Sequence, residues 1–387
     1  MEKIYYFDNA ATTFPKPNEV YDFMDKFYRE NGVSVGRGQY SLAAKANFLV
    51  NETRDLILNF FNCPNKKVIF TSGATEAINI CLQGINFTER KNVYLSPFEH
   101  NSITRTINFL SKKYDINVHI LNVDKKTLTY DMEKIEKQFI LNNPDIVIIS
   151  HISNVCGLIA PVEKIFTLSK KYNSLNIIDT CQSAGIIDVN IGSDIFDIGI
   201  FAGHKTLYGP FGTGGLIIKN SLEITPLLYG GTGLNSASQE LPKEIPEKYE
   251  VGSQNVLSIS GLNRSLKWIK EISIETFRKK EKEKENKCKL LEILKKYSNI
   301  EIIGFKGEEK NGGVISCNFK NYSADEMGKI LNKFNIAVRT GLHCSPSAHK
   351  FLGTFPGGTV RFSTGYFNTE KDFEHLEEVL TYIKENS

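Results

Sequence analysis

The chain has 387 residues, 41% of them hydrophobic and 24% charged, with a formal net charge of +3. That length exceeds one core, so two domains are expected; the mixed charge leaves no basic face for nucleic acid, and no apolar run nears the ~20 residues of a membrane helix. Seven cysteines, no two within four positions of each other, fit neither a disulfide framework nor a zinc site of close pairs, so most are expected to be buried reduced thiols with no metal bound.

The first eight residues carry an apolar stretch too short for a signal peptide, with acidic residues on both sides, which predicts a cytoplasmic protein. Runs rich in Val and Ile then recur at 68–71, 93–95, 118–121, 146–150, 176–179, 198–201 and 215–219, with helix-like stretches such as 75–83 and 161–172 between them. The alternation predicts an α/β fold, a mostly parallel sheet covered by helices on both faces. Ligands on such sheets bind beyond the carboxyl ends of the strands. A Gly- and Pro-rich stretch at 230–246 reads as an extended loop. Beyond it the pattern predicts a long helical segment at 258–297, a strand at 314–319, a helix at 324–334 and a final helix at 370–385. We therefore expect a large domain over 15–257 and a smaller α+β domain over 258–387, with segment 1–14 packing near the latter and the site.

Two polar residues end apolar runs in the first region. Lys205 closes 197–205, and desolvation favours the free amine that condenses with an aldehyde, the use pyridoxal 5'-phosphate (PLP) makes of a lysine. Asp179 closes 175–179 and suits a protonated pyridine nitrogen, or equally a helix N-cap. The stretch 71–76, Thr-Ser-Gly-Ala-Thr-Glu, follows a strand and opens a helix, as a phosphate cup does, and as many a tight turn does. His100 and Asn154 are strand-end polar residues able to stack on, or bond to, a flat ring, although a lone His is usually structural. Cys344 stands apart from the other cysteines in a Gly- and Pro-punctuated loop with the cation Arg339 five residues upstream, which would favour thiolate, and His343 beside it, a second cation if protonated. Arg361 interrupts a strand-like run and suits either an α-carboxylate or a structural ion pair.

Together the segments 7–12, 73–79, 99–102, 153–154, 179–183, 203–205 and 339–344 resemble, in that order and nearly end to end, the group II cysteine desulfurases and selenocysteine lyases of the class V aminotransferase superfamily. The resemblance implies a fold-type I PLP-dependent transferase with a mostly parallel seven-stranded sheet. It implies that Lys205 carries PLP covalently, Asp179 pairs with the ring nitrogen, His100 stacks on the ring as acid or base, and Gln182 meets the ring oxygen. Ala74, Thr75 and His204 would hold the phosphate, completed in a homodimer by a neighbouring segment like 250–255 with Gly252 and Ser253, and Asn154 would border the cofactor. Arg361 would bind the substrate carboxylate, with Asn9, Ala10, Arg37, Asn154 and Arg339 nearby. L-cysteine would lose its sulfur to Cys344 as a persulfide for a protein acceptor, leaving alanine; selenocysteine cleavage, or a sulfur relay of low turnover, is the alternative. The family usually has Ser or Thr at the position of Ala202, and many group II members have two histidines where this chain reads Leu342-His343.

Overall fold

A computed structural model describes residues 3–386 apart from 37, 234–236, 277, 306 and 308–309, and the side chains of 273–278 stay undescribed. The first part runs β1 (Tyr5–Tyr6), α1 (Asn18–Asn31), α2 (Ser41–Phe60), β2 (Lys66–Thr71), α3 (Ala74–Gly84), β3 (Asn92–Leu95) and α4 (Asn101–Leu110). It continues with β4 (Asn117–Ile120), α5 (Met132–Leu141), β5 (Ile146–Ser150), α6 (Val162–Lys170), β6 (Leu175–Asp179), β7 (Ile198–Ala202) and β8 (Gly214–Lys219). Seven of these strands form one sheet in the order β2-β8-β7-β6-β5-β3-β4. Its pairs are parallel from β7 to β4, while β8 runs antiparallel to both β7 and β2. Every residue of β5, β6 and β7 is buried, as strands covered on both faces must be. Two apolar clusters sandwich the sheet: Val147, Ile149, Ile178 and Phe201 point to one, and Ile146, Ile148, Ile177 and Ile200 to the other. The alternation of neighbours along one strand carries both layers.

The second part runs α7 (Val256–Thr276), α8 (Arg278–Lys295), β9 (Ile300–Ile303), β10 (Val314–Phe319), α9 (Ala324–Lys333), β11 (Ile336–Ala337), β12 (Arg339–Gly341), α10 (Pro346–Leu352), β13 (Thr359–Ser363) and α11 (Glu370–Glu385). Four strands make an antiparallel sheet, β12-β13-β10-β9. A separate core gathers Leu290 and Leu294 of α8, Phe362 of β13 and Leu376 of α11, and Phe7 from the N-terminal segment joins it. β1 pairs in parallel with β11, which joins residues 5–6 to this second group of elements.

The expected boundary at 258 lies within α7. Ile259, Leu262, Leu266 and Trp268 of α7 pack into the larger core, because its apolar stripe faces α1 and α2 rather than the small sheet. The helical segment expected over 258–297 holds α7 and α8, and 230–246 holds no helix or strand among its described residues. No helix among the described residues is long and apolar enough to cross a membrane, and no group of three His, Cys, Asp or Glu there could hold a metal.

Candidate active site

The carboxyl ends of β5, β6 and β7 open on a cavity of about 440 Å³. β7 leads into Gly203, where a Cβ would stand 2.2 Å from Thr213 Oγ1, so the turn closes only around a glycine. Lys205 follows on the cavity wall. Its turn is gripped by the N-terminal segment: Thr13 Oγ1 donates to Lys205 O at 2.9 Å, and Thr12 Oγ1 to His204 O at 2.8 Å. Lys16 Nζ reaches His204 O at 2.6 Å and Thr13 Oγ1 at 2.7 Å. These acceptors are neutral, and burial without a counter-charge draws the Lys16 ammonium down to about 7.

Asp179 ends β6, and its Oδ1 accepts the Cys181 N–H at 2.9 Å, which leaves the carboxylate on the cavity wall. His100 is the N-cap of α4. Its Nδ1 accepts the Ser102 N–H at 3.1 Å; an amide only donates, so Nδ1 is bare and the neutral ring carries its proton on Nε2. Burial, with the nearby Lys205 cation second, lowers His100 to about 4, so the ring is neutral at pH 7. Its neighbour Glu99 is fully buried and accepts from Ser96 Oγ at 2.6 Å and Ser150 Oγ at 2.7 Å, tying the ends of β3 and β5 together. Burial pushes Glu99 up to about 7.

At another wall α3 starts after Gly73 with no side chain capping it, and Ala74 and Thr75 line the cavity at that start. A Cβ on Gly214 would come within 2.7 Å of Gly73 Cα, so this glycine lets β8 support the turn. His204 also lines the cavity; its ring stacks on Phe211 with 4.7 Å between centroids, and burial drops its pKa to about 3. Its Nδ1 is buried with no hydrogen-bond partner. Gln182 Nε2 donates to Ala10 O at 2.8 Å, and both residues border the cavity.

Across from these lies Arg361 of β13, buried. One guanidinium nitrogen bonds Asp8 Oδ1 at 2.8 Å, another Asn154 O at 3.0 Å, and Nε has no partner. Of the two readings left open by the sequence, the ion pair is present, yet the side chain still borders the cavity. Arg339, half exposed, pairs with the other oxygen of Asp8 at 3.1 Å. Asp8 lies in segment 7–12, and no local pattern in the sequence shows that it meets two arginines.

Cys344 is exposed on the cavity rim. His343 does not supply the expected cation: burial first, and Arg361 second, depress it to about 2, and its Nε2 bonds Thr359 Oγ1 at 2.9 Å. Arg361, which interacts electrostatically with Cys344, and Arg339 are positive groups on the same cavity. Asn154 borders the cavity too, but its amide is engaged by the Cys344 loop. Asn9 does not face the site; its Nδ2 donates to Ser363 O at 3.1 Å and its Oδ1 accepts from the Phe14 N–H at 3.3 Å. Gly252 and Ser253 are exposed and do not line this cavity. Arg37 lies outside the described residues.

A sheet of this order, with a lysine and a carboxylate at the ends of adjacent strands and a helix start beside them, is the fold-type I architecture of PLP enzymes. The chain belongs to the family described as aminotransferase class-V, whose profile matches residues 5–376. A probable cysteine desulfurase of Methanothermobacter thermautotrophicus is 31% identical, over 98% of this chain and 94% of that protein. A cysteine desulfurase of Haloferax volcanii is 27% identical, over 98% of this chain and 89% of that protein. The apo structure of a cysteine desulfurase from Thermococcus onnurineus superposes with a TM-score of 0.91 at 27% identity, covering 99% of this chain and 95% of the other.

Proposed function

We propose that this chain is a PLP-dependent cysteine desulfurase that converts L-cysteine to L-alanine and keeps the sulfur as a persulfide on Cys344. The observation that carries the reading is an exposed thiol on the same cavity as Lys205, Asp179 and Arg361. The names of the relatives above support it.

The donor set fits the cofactor. Lys205 would take its aldehyde carbon, Asp179 its ring nitrogen, and the uncapped start of α3 at Ala74 and Thr75, with His204, its phosphate. When bound, PLP supplies an electron sink next to the substrate amine. Lys205 Nζ would then carry the proton from the substrate α-carbon, and His100, neutral with its proton on Nε2, would be a hydrogen-bond donor on the same cavity. Arg361 orients the substrate carboxylate through the N–H that Asp8 and Asn154 leave open.

Cys344 Sγ bonds to the substrate sulfur. The carbon–sulfur bond breaks, its electron pair stays with the carbon fragment, and protonation there completes alanine. Cys344–SH plus cysteine thus becomes Cys344–S–SH plus alanine, balanced in atoms and electrons. Exposed Gly252 and Ser253 would complete the phosphate site of a second copy, making a homodimer, and a protein acceptor would take the persulfide sulfur.

Incubating the purified, PLP-loaded protein with cysteine and separately with selenocysteine, and quantifying alanine, sulfide and selenide, tests the reading. Alanine from cysteine with a persulfide mapped to Cys344 is expected. Alanine from selenocysteine alone would replace it with a selenocysteine lyase.

A further inference from the structure

We infer that Asn154, expected from the sequence to face cofactor and substrate, is a positioning residue that locks the loop of Cys344. The inference rests on the desulfurase reading for what Cys344 does, and on the loop's own geometry for how it is held.

Two local irregularities mark this loop. His343 and Cys344 are consecutive non-glycine residues in the left-handed region, at φ 46° and 56°, which side chains with a Cβ seldom adopt. Ser345 stands at the N-cap of α10, before Pro346 at the first helical position, yet its hydroxyl makes no capping bond. Both lead to Asn154. Its Nδ2 donates to His343 O at 2.6 Å, and its Oδ1 accepts from Ser345 Oγ at 2.8 Å. The amide orientation is chemically fixed, since a backbone carbonyl must face the NH₂ end. The serine has left its helix cap in order to close a ring of bonds around the cysteine.

Further bonds hold the loop from other sides. Cys344 O accepts the Asn101 N–H at 2.6 Å, occupying an amide of the first turn of α4. His343 Nε2 faces Thr359 Oγ1, which donates to Ser316 Oγ at 2.9 Å, which in turn donates to Val155 O at 2.6 Å. Val155 O only accepts, so every proton in this row points the same way and His343 is held with its proton on Nε2. Asn154 is itself fixed by Arg361 on its carbonyl. Residues on both sides of Cys344 are thereby pinned, and rotation of the thiol about its own side chain is the freedom that remains. Each end of the Asn154 amide thus holds the loop through one bond, on either side of Cys344.

The test uses PLP-loaded Asn154→Ala, Ser345→Ala and Ser345→Thr proteins, with kcat and KM for alanine formation from cysteine and backbone hydrogen exchange over 341–346. A positioning role predicts that Asn154→Ala and Ser345→Ala each lower kcat by about tenfold or more, leave KM within roughly twofold, and lose protection in 341–346 but not in β6. Ser345→Thr, which restores the hydroxyl, should recover both readouts. A tenfold rise in KM for Asn154→Ala with kcat and loop protection retained would make Asn154 a substrate ligand and overturn the inference. Unchanged kcat and exchange in Ser345→Ala would overturn it equally, and this variant decides the matter should Asn154→Ala misfold. If wild type releases no alanine from cysteine, the desulfurase reading falls, while loop exchange still decides whether Asn154 is the clamp.

Discussion

Lys205 and Cys344 share a cavity but are held there by different means. Lys205 follows a fully buried central strand, so its place is set by the register of β6, β7 and β8 and by backbone carbonyls that Thr12, Thr13 and Lys16 grip. Cys344 sits on a left-handed turn between a three-residue strand and a seven-residue helix, and side-chain bonds replace the missing ladder. A strand end tolerates many side chains at the position it delivers. A clamped turn depends on each partner.

The largest expected effect falls on the rigid side. Lys205→Ala should lower alanine formation by at least about 10³-fold while the protein stays folded, since the group that moves the proton is gone. Borohydride reduction of the wild-type protein followed by peptide mass mapping should find the cofactor on Lys205, and an adduct on another lysine would transfer the role. On the clamped side, Cys344→Ser should cut sulfide and alanine by about 100-fold or more yet still bind cysteine, because a hydroxyl is a poor nucleophile toward sulfur. Normal alanine output from this variant would remove the thiol from the chemistry. Asp179→Ala should weaken PLP retention by roughly 10- to 100-fold, the loss of a charge-assisted bond of about 2 kcal/mol or more. Equal rates of PLP loss by dialysis in mutant and wild type would refute the pairing.

The smallest effect concerns how the lysine turn is gripped. Lys16 has a folded pKa near 7, below the ordinary lysine value of 10.5, so between those values the unfolded chain binds the extra proton. Stability of the cofactor-free protein should therefore rise as pH climbs from 7 toward 10, with the full cost of the buried ammonium present below 7. Lys16→Met should flatten that slope relative to wild type in denaturant titrations at pH 7 and pH 9. A parallel slope in both proteins would show that Lys16 is not the group responsible.

The sheet was legible because its strands are continuous apolar runs, and Lys205 and Asp179 were legible because polar residues ending such runs face the site of a parallel sheet. What escaped depends on tertiary neighbours. Val118 and Ile120 read like the other runs but stand 43% and 49% exposed, because β4 is the edge of the sheet. Whether His343 is charged could not be read locally, because burial, a tertiary property, is what keeps it neutral. Asn9 and Asn154 were assigned by resemblance to the substrate, and only packing shows their amides engaged by the protein itself. Which core the apolar stripe of α7 joins is likewise set by tertiary packing and not by its local pattern.

The pairing of β1 with β11, and of Asp8 with Arg361 across 353 positions, has a consequence for synthesis on the ribosome. Residues 5–8 emerge more than 300 positions before their partners at 336–361 and must wait for them. The larger sheet can close around Lys205 and Asp179 while the arginine wall of the cavity does not yet exist. The newborn protein thus completes its sheet early and its substrate-facing wall last. A translation-arrested chain ending before residue 336 should leave residues 5–8 open to protease, and release of the full chain should close them.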